Sequence, residues 1–262
     1  MSELLTLSGY RVSDQAAPIT VRVDLGIWIG VVAPAEIDVS RFLAEIVGRA
    51  GRKVSSQWAD TSELKGRKIV QQLAKGADPD RITRILTLLR LWDVRKSQIS
   101  SLSEGHRRAA AFVPALASDA NLILFENWVD MTDPWVLDGL IELLEEHPAA
   151  KVMASSRSDI LSRVDRLLVL NTRGIRFDGA PSDLLKIIRP ATVVVETENP
   201  GAIAALVEPL QLQVESFPDM LVIKTTEGQR LAADLVVRGY PWVRAVTVRT
   251  PTLDDALRSL IR

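Results

Sequence analysis

The spacing of apolar and polar residues near the start of the chain indicates a buried strand. Residues 21–33 are rich in β-branched side chains and almost continuously apolar up to Pro34. Such a run is typical of a strand that is covered on both faces and then enters a loop. A helix is predicted after the loop, over Ser40–Gly48.

The same pattern recurs in the middle of the chain. Leu122–Phe125 and Lys151–Ala154 are short apolar runs that predict two more buried strands. Between them, Asp133 and Pro134 form an N-cap and first-turn pair, and apolar residues follow at helical spacing. Strands that alternate with helices indicate a parallel sheet covered by helices, an α/β architecture.

Residues 64–91 have a different spacing, with apolar side chains every three or four positions. Asp78 and Pro79 interrupt this stretch, which predicts two helices rather than one. We expect a helical insert over about residues 60–100.

The pattern changes again after Leu185, and Pro190 is a plausible hinge. Strand, helix, strand, strand, helix and strand follow in that order, which is the order of a ferredoxin-like module. We therefore predict a larger domain over 1–185 and a small α/β accessory domain over 190–262. The predicted elements of the accessory domain are Thr192–Glu196, Gly201–Glu208, Leu212–Glu215, Met220–Thr225, Gln229–Val237 and Val243–Val248.

Composition removes several functional classes. The 262 residues carry a net charge of −1, which gives no field to attract nucleic acid. There is no cysteine and there are only two histidines, so a zinc site or a thiol nucleophile is not expected. His147 follows a predicted helix, where a protonated imidazole would be a favourable end charge. The longest uncharged apolar runs, 25–35 and 109–118, are too short to span a bilayer, and the acidic start predicts a cytoplasmic protein.

One segment resembles the ATP-binding subunits of ABC transporters. Their signature, LSGGQ, is matched at three of five positions by Leu102, Ser103, Glu104, Gly105 and His106. The family pattern LLLLDEPTxGLDP then aligns with residues 122–134 without a gap. The resemblance implies an α/β fold of the P-loop NTPase type, an ABC ATPase core with a helical subdomain.

The resemblance also assigns the residues around the next strands. Glu126 stands at the Walker B aspartate, Asn127 at the catalytic glutamate and Asp133 in the D-loop. Arg157 stands at the switch histidine. An amide or a guanidinium cannot accept the proton that a general base must take, so the hydrolytic groups are missing. Glu126 is expected to be structural.

The family's phosphate loop aligns with residues 26–42, and here the differences are large. Its glycines are replaced by Ala33, Glu36 and Asp38, and its lysine by Val39, while Ser40 keeps the hydroxyl. A unit charge about 4 Å away is worth on the order of 4 kcal/mol at an effective dielectric constant near 20. Loss of a lysine and gain of two carboxylates should make the site repel a triphosphate, so we expect no nucleotide or Mg²⁺ to bind there.

Other family features are weaker. Gln57 is a candidate Q-loop glutamine or simply a solvated polar residue. The small antiparallel strands that contact adenine are not evident, and Tyr10 is the candidate stacking aromatic. Residues 250–257, TPTLDDAL, resemble a motif near the end of ATP-binding subunits of the ABC-2 exporter type, which extends the resemblance over almost the whole chain.

The signature can be interpreted in two ways. In ABC dimers the signature of one subunit faces the nucleotide of the other, so Ser103, Gly105 and His106 could contact ATP bound by a partner. Alternatively, Ser103 is only the N-cap of the following helix, and Glu104 places a carboxylate where a glycine normally approaches phosphate.

Three functions follow from these interpretations. The first is a catalytically inactive ABC ATPase homologue that pairs with an active ATPase subunit and docks on membrane permease subunits. It would lie at the inner face of the membrane, with ATP and Mg²⁺ held only by the partner. The second is a stand-alone regulatory or scaffold protein that uses the dimer face without nucleotide. The third is an active ATPase with an unusual loop.

Overall fold

The computed structural model divides into two compact units, Met1–Pro181 with Leu260–Arg262, and Ser182–Ser259. The prediction of domains at 1–185 and 190–262 stays a prediction. The structure describes residues 2–50, 64, 69–74, 76–126, 130, 132–186 and 191–261, and the backbone alone at 56–59 and 187.

The first unit is built on a six-stranded sheet in the order β4-β5-β6-β3-β7-β8. The first five strands of that order run parallel, and β8 is antiparallel to β7. The carboxyl ends of the parallel strands therefore meet at one edge, and the loops that follow them lie there. The strands are β3 (Trp28–Val32), β4 (Ser56–Ala59), β5 (Leu122–Glu126), β6 (Ala150–Ala154), β7 (Arg166–Asn171) and β8 (Gly174–Gly179).

The prediction of one strand over residues 21–33 was wrong. Gly26 adopts a φ of +78°, which a glycine tolerates, and the chain turns there. The part before the turn is β2 (Ile19–Asp24), which pairs with β1 (Glu3–Tyr10) in a separate antiparallel sheet. The small antiparallel strands that the sequence pattern did not reveal are thus present. Tyr10 is buried, with its ring 5.5 Å from that of Phe42, so it is not an exposed stacking surface.

Helices cover the six-stranded sheet, and the predicted ones over Ser40–Gly48 and after Asp133 are present. In the helical insert, Asp78 accepts hydrogen bonds from Asp80 N and Arg81 N and so caps a regular helix. The stretch before it forms only a 3-10 helix, Val70–Ala74, in its described part. The α-helices of this unit are α1 (Val39–Ala50), α2 (Pro79–Leu88), α3 (Glu104–Ala117), α4 (Pro134–Glu146) and α5 (Ser158–Leu161), whereas α6 (Pro181–Ile187) lies in the second unit from Ser182 onward.

The core of the first unit explains why these segments fold together. All five residues of β3 and of β6, and the first four of β5, are buried, as expected for central strands with a layer on each face. Helix α1 presents Phe42, Leu43 and Ile46 to the same core. This packing fixes the start of α1 against the carboxyl ends of the strands.

The second unit contains a four-stranded antiparallel sheet in the order β10-β11-β9-β12. Alternate residues of β9 and β11 are buried against two helices, which places a small core on one face. The elements follow the predicted order, and the assignment to the ferredoxin-like type stays a prediction. They are β9 (Ala191–Thr197), α7 (Pro200–Val207), β10 (Gln213–Ser216), β11 (Met220–Thr225), α8 (Gly228–Arg238), β12 (Val243–Arg249) and α9 (Leu253–Ile261).

Candidate functional site

The segment that aligns with the phosphate loop joins β3 to α1, and part of it turns inward. Ile37 is buried in the core, and Ala33 and Val39 pack against the same cluster. Glu36 and Asp38 remain exposed. The position aligned with the family's lysine therefore carries an apolar side chain that packs against the core.

Asp38 caps the first turn of α1. Its carboxylate accepts a hydrogen bond from Arg41 N at 3.0 Å, and its carbonyl oxygen accepts one from Phe42 N at 3.2 Å. A carboxylate at a helix N-terminus is favoured by the unpaired N–H groups and by the helix dipole. The chain thus supplies its own anion at the helix end that faces the loop.

Ser40 is hydrogen-bonded to the end of the neighbouring strand. Its hydroxyl donates to Glu126 Oε1, at the last residue of β5. The two residues lie in a pocket of about 270 Å³ between the loop after β3 and the ends of β5 and β6. This pocket brings together the predicted loop residues and Glu126, and its lining also includes Ser155 and Ser156.

Asp130 was not singled out from the sequence, although it organises the loop after β6. Its carboxylate accepts hydrogen bonds from the hydroxyl of Ser155, from Ser156 N at 2.8 Å and from Ser156 Oγ at 2.6 Å. An aspartate soon after a buried strand was the available signal, but its partners lie 25 and 26 residues further along the chain.

Arg157 is held by the carboxylate of Asp159, in the first turn of α5. Its Nε and Nη2 donate to the two oxygens of Asp159 at 3.1 and 2.7 Å, and Nη1 donates to Thr132 O at 3.5 Å. The hydrogen bond with Asp159 raises the pKa of Arg157, and the same bond lowers the pKa of Asp159. Both groups stay ionised near neutral pH, so Arg157 is a donor and a charge here.

The signature residues are engaged within their own helix. Ser103 is the N-cap of α3, and its hydroxyl oxygen accepts from His106 N at 3.3 Å and lies 2.9 Å from His106 Nδ1. The Glu104 carboxylate accepts from Arg108 Nε at 3.1 Å and lies 3.6 Å from Arg107 Nη1. Glu104 is therefore turned along α3 toward these cations.

Gly105 lies directly against Asp133. A Cβ atom at position 105 would collide with Asp133 Oδ2 where it now lies, so the glycine leaves room for this close approach. Asp133 occupies the N-cap position of α4, as predicted, but its side chain makes no capping hydrogen bond there. Its carboxylate instead approaches the N-terminal turn of α3.

The structure describes only the backbone of Gln57 and does not describe Asn127. The backbone of Gln57 lies in β4 and pairs with Ile123 of β5, and its side chain is outside the description. Asn127 lies outside the described residues. Among the side chains that are described, no group of three or more His, Asp or Glu could hold a metal ion. The described helices include none with the length and apolar character of a membrane span.

A comparison with curated proteins finds a relative among ABC transporter ATP-binding proteins. Over 111 residues the chain is 28% identical to an ABC transporter ATP-binding protein of Pyrococcus horikoshii, a match that covers 40% of this chain and 39% of that protein. The similarity thus spans about two fifths of that relative's length. No protein-family model matches the chain.

Structural similarity covers more of the molecule. A solved ATP-binding subunit of an ABC transporter superposes with a TM-score of 0.56 at 16% sequence identity, over 70% of this chain and 92% of that one. Together with the sequence match, this confirms the resemblance to ABC nucleotide-binding domains. The chain therefore has the fold of the ATP-binding subunits of ABC transporters.

Proposed function

We propose that the chain is a catalytically inactive homologue of an ABC nucleotide-binding domain, in a transporter of the ABC-2 type. It pairs with an active ATPase subunit and docks on membrane permease subunits, at the inner face of the cell membrane. ATP and Mg²⁺ are bound by the partner, and this chain contributes structure rather than hydrolysis.

The observation that carries the proposal is the self-contained hydrogen bonding of the pocket. A phosphate loop binds triphosphate through free backbone N–H groups, a lysine and a hydroxyl that holds Mg²⁺. Here the Asp38 carboxylate takes an N–H group of α1, Val39 packs inward, and the Ser40 hydroxyl donates to Glu126. The donor set therefore does not fit Mg-triphosphate.

Charge supports the same conclusion. Glu36, Asp38 and Glu126 are carboxylates of this pocket or of the loop that forms it. At about 4 Å and an effective dielectric constant near 20, each would oppose a phosphate charge by on the order of 4 kcal/mol. No lysine on the loop offsets them.

The experiment is to co-express the chain with an ABC ATPase subunit that has an intact phosphate loop and to measure hydrolysis by the purified complex. Replacing the phosphate-loop lysine of the partner should abolish ATPase activity. Ser40→Ala and Glu126→Gln in this chain should leave the rate within about twofold, because no catalytic step uses them. A loss of more than tenfold in either variant, with the complex intact, would refute the proposal.

A second function, the stand-alone scaffold, is favoured by one observation. The Ser103 hydroxyl is hydrogen-bonded to His106, and Asp133 lies against Gly105. Residues of this chain therefore already contact two residues of the signature. The discriminating test is Ser103→Tyr in the complex, with Ser101→Tyr as the control two residues earlier. A reduced rate for Ser103→Tyr alone supports contact with the partner's ATP, and equal rates support the scaffold.

A further inference from the structure

We propose that Asp130, Thr132 and Asp133 form an intrachain clasp that holds the first turn of α3 to the loop after β6 without nucleotide. Arg157 is the positioning residue of this clasp. The inference deepens the proposed function and rests on it. If no nucleotide binds to this chain, contacts within the chain must hold the signature in place.

One end of the clasp is Asp130. Three donors of the loop after β6 converge on its carboxylate, from Ser155 and from both the backbone and the hydroxyl of Ser156. Hydrogen bonds to an ionised acceptor are about twice as strong as those between neutral groups. Ser155 is buried, which further limits competition from water.

The other end is Asp133. Its carboxylate approaches the backbone at Gly105, in the first turn of a 14-residue helix whose positive dipole end favours an anion. Because Asp133 makes no capping bond to its own helix α4, its side chain is available for this contact. The anion at the start of α3 is thus supplied from within the chain.

Arg157 joins the middle of the clasp to the same loop. Its guanidinium is oriented by the two-point contact with Asp159, and Nη1 reaches Thr132 O at 3.5 Å. Its backbone N–H donates to Ser155 Oγ at 3.1 Å. Arg157 therefore contacts both Thr132 and the serine that Asp130 holds, so a shift of the loop would be felt at Asp133.

Hydrogen exchange on the full-length chain, with neither nucleotide nor partner, tests the clasp. The informative amides are Arg107 and Arg108, the first hydrogen-bonded turn of α3. Asp130→Ala and Arg157→Gln should raise exchange there by about threefold or more. Matched substitutions of exposed residues, Asp138→Ala and Arg163→Gln, should not.

A second measurement avoids dependence on how well those variants fold. Gly105→Ala should lower Tm in the natural chain because the methyl group meets Asp133. In the Asp133→Ala background it should raise Tm, since alanine is the better helix former. A reversal of sign supports the contact, and the same sign in both backgrounds overturns it.

The clasp is also overturned if Asp130→Ala and Arg157→Gln raise exchange only at 155–159 and leave Arg107 and Arg108 unchanged. Because no nucleotide is present, that result would leave the proposed function standing. Conversely, binding of ATP by the isolated chain would end the proposed function while the exchange data still reported on the clasp.

Discussion

The hydroxyl of Ser40 donates a hydrogen bond to the carboxylate of Glu126, at the end of the neighbouring strand β5. Glu126 stands where the aligned family pattern has an aspartate, whose side chain is one methylene shorter. The interaction links the start of α1 to the carboxyl end of β5.

Loss of this link should be measurable as stability. Ser40→Ala should lower the free energy of unfolding by about 1 kcal/mol, the usual value for one hydrogen bond at a partly exposed site. Glu126→Asp should cost a similar amount because the shorter side chain no longer reaches. Glu126→Gln keeps an acceptor oxygen at the same length and should cost less. Urea unfolding of the variants measures these differences in the free energy of unfolding. A Ser40→Ala chain as stable as the natural one would contradict the assignment of this stability to the Ser40–Glu126 hydrogen bond.

The cap at Asp38 gives a second prediction. Asp38→Ala should destabilise the chain by about 1 kcal/mol, because Arg41 N loses its acceptor. Asn caps helices nearly as well as Asp, so Asp38→Asn should lose less than half as much. If both variants lose the same amount, the contribution of Asp38 comes from its charge rather than from its cap.

The buried Lys151 should also contribute to stability. Its Nζ donates to Leu144 O at 3.0 Å and to His147 O at 2.8 Å, at the C-terminal end of α4. Lys151→Met leaves both carbonyls without this donor and should cost about 2 kcal/mol. The exposed Lys186→Met serves as control and should stay within about 0.5 kcal/mol. A Lys151→Met chain as stable as the natural one would mean that burying the charge cancels the two hydrogen bonds.

Stability should fall on mild acidification because of His147. Burial, and next the positive charge of Arg81, lower its pKa below the ordinary value of 6.5. Between that lowered pKa and 6.5 the unfolded chain binds more protons than the folded one, so this contribution is complete above about pH 6.5 and is lost as the pH falls. The prediction that a protonated His147 provides a favourable charge at the helix end is therefore wrong, because the folded chain favours the neutral ring.

The measurement is the free energy of unfolding at several pH values between about 5 and 8. His147→Gln should flatten the part of the profile below pH 6.5. Equal slopes in the natural chain and in His147→Gln would contradict the assignment of this effect to His147.

Sequence patterns predicted many of the helices and strands in both units. Strands β5 and β6, helix α1 and all six elements from β9 to β12 follow from local spacing. The turn at Gly26 was missed because a glycine between two apolar strands leaves the hydrophobic pattern unbroken. The pattern carries no direct signal for a positive φ.

The site was less predictable because its contacts are distant in sequence. Ser40 and Glu126 are separated by 86 positions, and no local rule pairs them. Asp38 was read from the sequence only as a charge that repels phosphate, although an acid at the start of a helix is also a capping signal. The sequence analysis assigned Gly105 a contact with the phosphate of ATP bound by a partner. Its close contact with Asp133 joins two residues that are distant in sequence, so it is seen only in the folded chain.

Because Asp38 and Glu126 already accept hydrogen bonds from Arg41 N and the Ser40 hydroxyl, this chain should bind no nucleotide by itself. Isothermal titration calorimetry of Mg-ATP into the purified full-length chain tests it directly, with the co-expressed complex as the positive control. We predict no saturable heat for the chain alone and clear binding for the complex. Saturable binding of Mg-ATP to the isolated chain at micromolar concentration, lost in Ser40→Ala, would contradict the account.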